Sequence, residues 1–98
     1  MTHRPFSMSG ASDMGLHELP QRLLARVVRL LPAGDAEERD VLLRLLEIGF
    51  LPSEPVRVMA RGFPGSDPLA VRVGHTTFAL RRHEAALIRV SLAEGRPA

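Results

Sequence analysis

The apolar residues of this chain change their period at Gly49, and that switch limits the fold more than any other feature of the sequence. Before it, Val41, Leu42, Leu45, Leu46 and Ile48 fall within one arc of about 160° when placed at 100° per residue, with Asp40, Arg44 and Glu47 opposite. One face of a helix is therefore built for burial. Asp35 is a good N-cap residue, Glu38 stands three positions later, and acids at Glu37, Glu38 and Asp40 suit the positive end of a helix. Gly49 suits the left-handed residue that closes the helix, and Pro52 prevents a restart. Asp40 and Arg44 have the i, i+4 spacing of a weak surface ion pair.

After Gly49 the period is two. Val56, Val58 and Ala60 share one face of a predicted strand, with Arg57, Met59 and Arg61 on the other; Leu69, Val71 and Val73 repeat the arrangement against Ala70 and Arg72. Gly74-His75 fits a two-residue hairpin. Thr76, Phe78 and Leu80 then line the core face of the next strand, a helical turn covers Arg81 to Ala86, and Ile88 and Val90 point inward from a last strand. Leu23 to Leu30 has the β-branched and aliphatic content of a strand, but its alternation is imperfect, which leaves burial of both faces, or a helix, open. Leu16 to Pro20 reads as a short turn. The expected fold is mainly β: a small barrel of about five strands that limits exposed edges, with one α-helix inserted between the first and second strands. Residues 1–15 read as a flexible N-terminal tail, 16–92 as the barrel domain and 93–98 as a C-terminal tail.

Composition narrows the function classes. The chain has 98 residues, enough for one core, and no Cys, which removes disulfides and thiolate metal sites. No apolar run approaches the roughly 20 residues that span a bilayer, so a cytoplasmic protein is expected. The pI near 10.9 suggests a nucleic-acid binder, yet the formal net charge is only +2. All 13 basic residues are Arg, which stays protonated far above neutrality, so the pI overstates the charge at pH 7. Residues 35–49 hold five acids against two Arg, net −3, and residues 50–92 hold six Arg against three acids, net +3. The molecule is dipolar rather than uniformly basic.

The RLLEIG helix end at Arg44 to Gly49 with FLP after it, the PGSDPLAVRV segment from Pro64, the FALRRHEAA segment from Phe78 and the closing IRV at Ile88 to Val90 together resemble the FeoA family. This is the ferrous iron transport protein A group of small bacterial cytoplasmic proteins. The resemblance implies an SH3-like barrel with a helix between its first two strands. It also implies a non-enzymatic adaptor of iron(II) uptake that docks on the cytoplasmic part of the FeoB-type permease, whose N-terminal domain is a GTPase. Contact with the membrane would run only through that permease, and no nucleic acid would be needed. Family members often carry Gly where this chain has Arg22 and Ser53, so altered turn geometry, or a divergent subgroup, is expected there. The stretch LLPAGDAEERD is also longer than the usual run into the helix.

Catalytic chemistry finds little to work with. His75, His83 and Glu84 with Asp67 are the nearest thing to a constellation, without metalloprotease spacing, a phosphate loop or a serine elbow, so no enzyme and no cofactor is expected. For metal, His75 and His83 are the nearest candidates, with an adventitious divalent ion at a surface His as the expected limit. Partner contacts are expected at Phe50, Leu51 and Pro52 after the helix, at Phe63 and Pro64 in the longest loop, and at Arg81 and Arg82. Phe50 and Phe63 can alternatively plug the barrel ends. Alternation places Arg57, Arg61, Arg72 and Arg89 outward, where they could track phosphates; the rival reading is a small Arg-rich barrel that binds RNA or serves as a metal-dependent regulatory module. Four Phe and no Tyr or Trp leave no stacking platform for bases.

Overall fold

The structure, a computed structural model, describes residues 13–63, 65 and 67–92. The expectations for residues 1–12 and 93–98 lie outside the described residues. Strand β1 (Asp13–Gly15) leads into a 3₁₀ turn (Leu16–Glu18), followed by β2 (Ala25–Leu30), α1 (Ala36–Ile48), β3 (Pro55–Arg61), β4 (Leu69–Val73), β5 (Thr76–Leu80), the single-turn α2 (Arg82–Ala85) and β6 (Ile88–Leu92). All pairings are antiparallel, and the strands form one sheet in the order β1-β6-β2-β3-β4-β5. Its concave side closes on a core whose largest side chains include Phe50, Leu16, Leu45, Leu69, Leu80 and Ile88.

Among the described residues the sheet has six strands, and the extra one falls where a flexible tail was expected. Asp13 pairs with Ser91, Met14 with Val90 and Gly15 with Arg89, while Met14 packs on the core. Three residues are too few to show a period, so only their partners make them a strand. The helix consequently lies between the second and third strands.

Two bulges account for the other departures. In β2 Val27 faces Val90 and Arg29 faces Arg89, which leaves Val28 unpaired. The imperfect alternation of that segment is thus a strand with one extra residue. In β3 Val58 faces Val71 and Ala60 faces Ala70, so Met59 is the extra residue and the pattern reverses beyond it. Ala60, expected inside, is exposed. Arg61, expected outside, pairs with the buried Leu69 and donates from its guanidinium to the backbone oxygens of His17 (3.2 Å) and Leu19. An outward arginine has become a staple holding the 3₁₀ turn across the barrel end. Thr76, also expected inside, is exposed at the hairpin end of β5, while Phe78 is half-buried and Leu80 buried.

Helix α1 starts and stops as expected. The Glu38 N–H donates to Asp35 Oδ1 at 2.8 Å, and Glu38 Oε1 accepts from the Gly34 N–H at 2.8 Å. Gly49 has φ +123° and donates its N–H to Leu45 O at 3.1 Å. Its apolar arc is used only in part: Leu45 is fully buried, Val41, Leu42 and Ile48 are half-buried, and Leu46 is exposed. Arg44 pairs with Glu84 of α2 at 2.6 Å, a strut to the barrel in place of the expected i, i+4 pair.

Gly74, at φ +62°, supplies the left-handed first residue of the β4–β5 hairpin. At Arg22 and Ser53, where altered turn geometry or a divergent subgroup was expected, the φ values are left-handed, +74° and +78°, although both residues carry side chains. The Arg22 N–H donates to Val58 O at 2.8 Å and the Ser53 N–H to Val27 O at 2.7 Å, so each turn is pinned to a strand that does not let it relax. The conformational cost is about 1–2 kcal/mol per residue for an L-amino acid.

Candidate docking site

Strand β3 divides the expected contact residues between its two ends. At the Arg61 end, the Gly62 N–H donates to Pro68 O at 2.7 Å, and a Cβ on Gly62 would stand 2.6 Å from Asp67 O, so the loop mouth closes only because that residue is glycine. Asp67 Oδ1 accepts the Arg82 N–H at 3.0 Å. These bonds tie the loop to the start of α2 and bring Phe63 to the same end as Arg81 and Arg82. Phe63 is 95% exposed, and both arginines are exposed. Pro64 lies outside the described residues.

The Pro55 end carries the Leu51-Pro52-Ser53 turn and, because Val56 faces Val73, the Gly74-His75 hairpin. Leu51 is 46% exposed and Pro52 is exposed. Phe50, expected either as a partner contact or as a plug of the barrel end, is the plug: it is fully buried, its N–H folded back onto Leu45 O at 3.0 Å. Seven residues of strand separate the two ends by about 20 Å, so the expected residues do not form one patch.

The titratable candidates are also dispersed. His75 and His83 sit beyond opposite ends of β5, and His83 faces Asp35, Glu37 and Glu38 across a shallow depression of about 250 Å³. Among the described residues no group of three or more His, Asp or Glu is arranged to hold a metal ion. Glu84 is buried, accepts the Arg81 N–H at 2.9 Å on one oxygen and pairs with Arg44 on the other. Burial pushes its pKa up, but the Arg81 hydrogen bond and the Arg44 charge outweigh that and hold it below the ordinary value. It stays ionised at neutral pH and serves as a strut rather than a proton donor.

Two further clusters escaped the sequence reading. Arg29 of β2 and Arg89 of β6 are directly opposite each other, and the Asp13 carboxylate lies between them. Arg29 Nη1 is 2.9 Å from Oδ2, and Arg89 donates from Nε to Oδ1 at 3.0 Å. Burial raises the Asp13 pKa, while the hydrogen bonds and charges of Arg89 and Arg29 lower it further, leaving it below the ordinary carboxylate value. The second cluster is Arg57 of β3 opposite Arg72 of β4. Among the described residues neither forms an ion pair, and Arg57 Nε is buried without a hydrogen-bond partner. Alternation placed Arg57 and Arg72 outward correctly; that they face each other follows from register, which the sequence does not print.

Comparison with known proteins supplies the context. The FeoA domain model matches residues 14–92. Among solved structures, the chain is similar to the FeoA of Stenotrophomonas maltophilia complexed with zinc, with 42% identity and a TM-score of 0.67 over 80% of this chain and 89% of that one. That protein is described as a prokaryotic SH3-domain protein and a candidate ferrous iron transport activating factor. The iron(II) transport protein A of Clostridium thermocellum is 32% identical, with a TM-score of 0.69 over 84% of this chain and 47% of that one. A manganese-dependent transcriptional repressor matches at 21% identity and a TM-score of 0.69, over 82% of this chain and 41% of its own, a likeness that shows the fold alone. A search of curated protein sequences finds no match.

Proposed function

Because this chain belongs to the FeoA family, an SH3-like fold associated with ferrous iron transport, we propose that it is a cytoplasmic, non-enzymatic adaptor that docks on the cytoplasmic part of a FeoB-type GTPase permease and supports iron(II) uptake. The observation that carries this reading is the 95% exposure of Phe63 on a loop held at both ends. A small domain gains nothing internally from a fully solvated phenylalanine, whereas an aromatic anchor flanked by arginines is the composition of an interface hot spot. Phe63 would fill an apolar pocket on the permease, and Arg81 and Arg82 would meet acidic groups around it. The Gly62–Pro68 and Asp67–Arg82 bonds fix the mouth of the loop next to α2. No helix among the described residues is long and apolar enough to cross a membrane, which agrees with a partner that approaches from solution.

The test is iron(II) uptake by cells of the source organism in which this chain is replaced by the Phe63→Ser variant. Phe63 is 95% exposed, so the variant keeps the fold, and the expected result is uptake reduced to the level of cells lacking the chain. Full uptake with the variant present at normal abundance would overturn the docking role of Phe63. Arg81→Ala and Arg82→Ala, assayed for GTP hydrolysis by the permease, separate simple docking from an arginine supplied to the nucleotide: an unchanged rate leaves docking alone.

A further inference from the structure

The Arg57–Arg72 pair lines a shallow cavity of about 180 Å³ whose other walls are Leu24, Pro55, Val56 and Gly74. Like charges directly opposite each other on antiparallel strands repel unless something of opposite sign lies between them. A buried guanidinium nitrogen without an acceptor adds a desolvation cost. The same molecule shows how such a pair is satisfied: across β2 and β6, Arg29 and Arg89 also face each other, and a carboxylate from Asp13 bridges them. The outer face of β3 and β4 has the same arrangement of arginines, with no acid from the described residues between them.

We infer that the depression between Arg57 and Arg72 is a binding site for the carboxylate of an acidic peptide segment on a protein partner. The planar guanidinium fork matches a carboxylate with two parallel hydrogen bonds. Leu24, Pro55 and Val56 suit the methylenes that carry such a carboxylate and would be wasted on a free, fully hydrated phosphate. The volume is below the roughly 300 Å³ at which small-molecule pockets begin, and so admits one side chain. No aromatic ring lines the cavity to stack a base, which disfavours a nucleic acid strand. The site lies at the Pro55 end of β3, about 20 Å from Phe63, and it stands or falls separately from the adaptor reading because its test uses no permease.

The experiment follows the arginine Nε–Hε resonances of the isotope-labelled full chain during titration with the blocked peptide acetyl-Leu-Glu-Leu-Glu-Leu-amide. The counterpart with Gln in place of Glu, and inorganic phosphate at matched ionic strength, run in parallel. The expected result is a saturable shift of the Arg57 and Arg72 signals with the Glu peptide only, with affinity about tenfold to hundredfold weaker in Arg72→Gln, the size of one lost charged hydrogen bond. Arg72 is exposed, so that variant keeps the native amide spectrum and its loss of binding is local. Four results would overturn the inference: no shift, an equal response to the Gln peptide, phosphate binding as tight as the peptide, or an affinity unchanged by Arg72→Gln. Shifts of the same signals that depend on protein concentration before any peptide is added would assign the cavity to a second copy of the chain and overturn it as well.

Discussion

Two strand pairs in this barrel each set one arginine directly against another, and they end differently. Between β2 and β6, Arg29 and Arg89 close on Asp13, whose side chain is only 7% exposed, and the first strand is fastened to the sheet by that contact. Between β3 and β4, Arg57 and Arg72 close on nothing among the described residues, beside a cavity open to solvent. The local pattern is the same, an arginine at an outward strand position facing its like. The difference is one acid, and it separates an element of stability from an element free to bind. Position in the sheet separates them: the first pair lies where β1 can reach across it, while the second lies one strand in from the β5 edge, where no acid among the described residues bridges it.

The largest effect should come from removing the acid. Asp13→Asn leaves Arg29 and Arg89 facing each other with their anion gone and loosens β1; we expect a loss of about 2 kcal/mol by urea denaturation. That is less than a fully buried pair would lose, because Arg29 is 55% exposed. A loss below half that figure would mean that the Asp13 contact does not distinguish the two pairs. The pH dependence follows the same carboxylates. Asp13 and Glu84 have folded-state pKa values below their ordinary 3.8 and 4.5, so the stability they contribute is complete above those values and is lost as pH falls through the lower folded ones. Acid titration of stability should therefore be shallower in Asp13→Asn than in the parent.

Substituting the arginines themselves sharpens the contrast. Arg89→Gln removes two bonds to Asp13 and should cost about 1 kcal/mol. Arg72→Gln removes a repulsion and no bond, so it should change stability by less than about 0.5 kcal/mol, in either direction. Equal losses in the two variants would show that Arg72 has a structural partner after all. Effects of similarly small size are expected away from both pairs, at the left-handed turns. Arg22→Gly and Ser53→Gly each relieve a side chain held at positive φ, offset by the extra freedom of glycine in the unfolded chain, and should stabilise by about 0.5 kcal/mol each in thermal unfolding.

Much of this architecture was legible before any coordinates. The cap at Asp35, the stop at Gly49, the Gly74-His75 hairpin and the alternation of β4 carry local signals that the structure reproduces. What escaped has a common cause. A bulge adds one residue without a residue type to mark it, so Ala60 and Arg61 exchanged faces after Met59. Strand β1 has three residues, and only its pairing with β6 makes it a strand. The same limit applied to the candidate site. The exposure of Leu51 followed from its turn, whereas the sequence leaves Phe63 open between surface and core plug, and which residues share an end of the barrel depends on register and on tertiary bonds such as Asp67 to Arg82. Phe50 and Leu51 are adjacent in sequence, yet the reversal at Gly49 sends the first into the core and leaves the second on the surface.

The adaptor reading is tested most directly by titrating the isotope-labelled chain with the cytoplasmic domain of the ferrous permease from the same organism and following the backbone amide signals, with iron(II) and a short single-stranded RNA as parallel titrants. The account predicts saturable shifts with the permease domain alone, concentrated at Phe63, Gly65 and Arg81 to His83, the end of the barrel where the loop is tied to α2. No response to the permease domain, with salt-sensitive shifts of the outward arginines on adding RNA or shifts at His75 and His83 on adding iron(II), would contradict it.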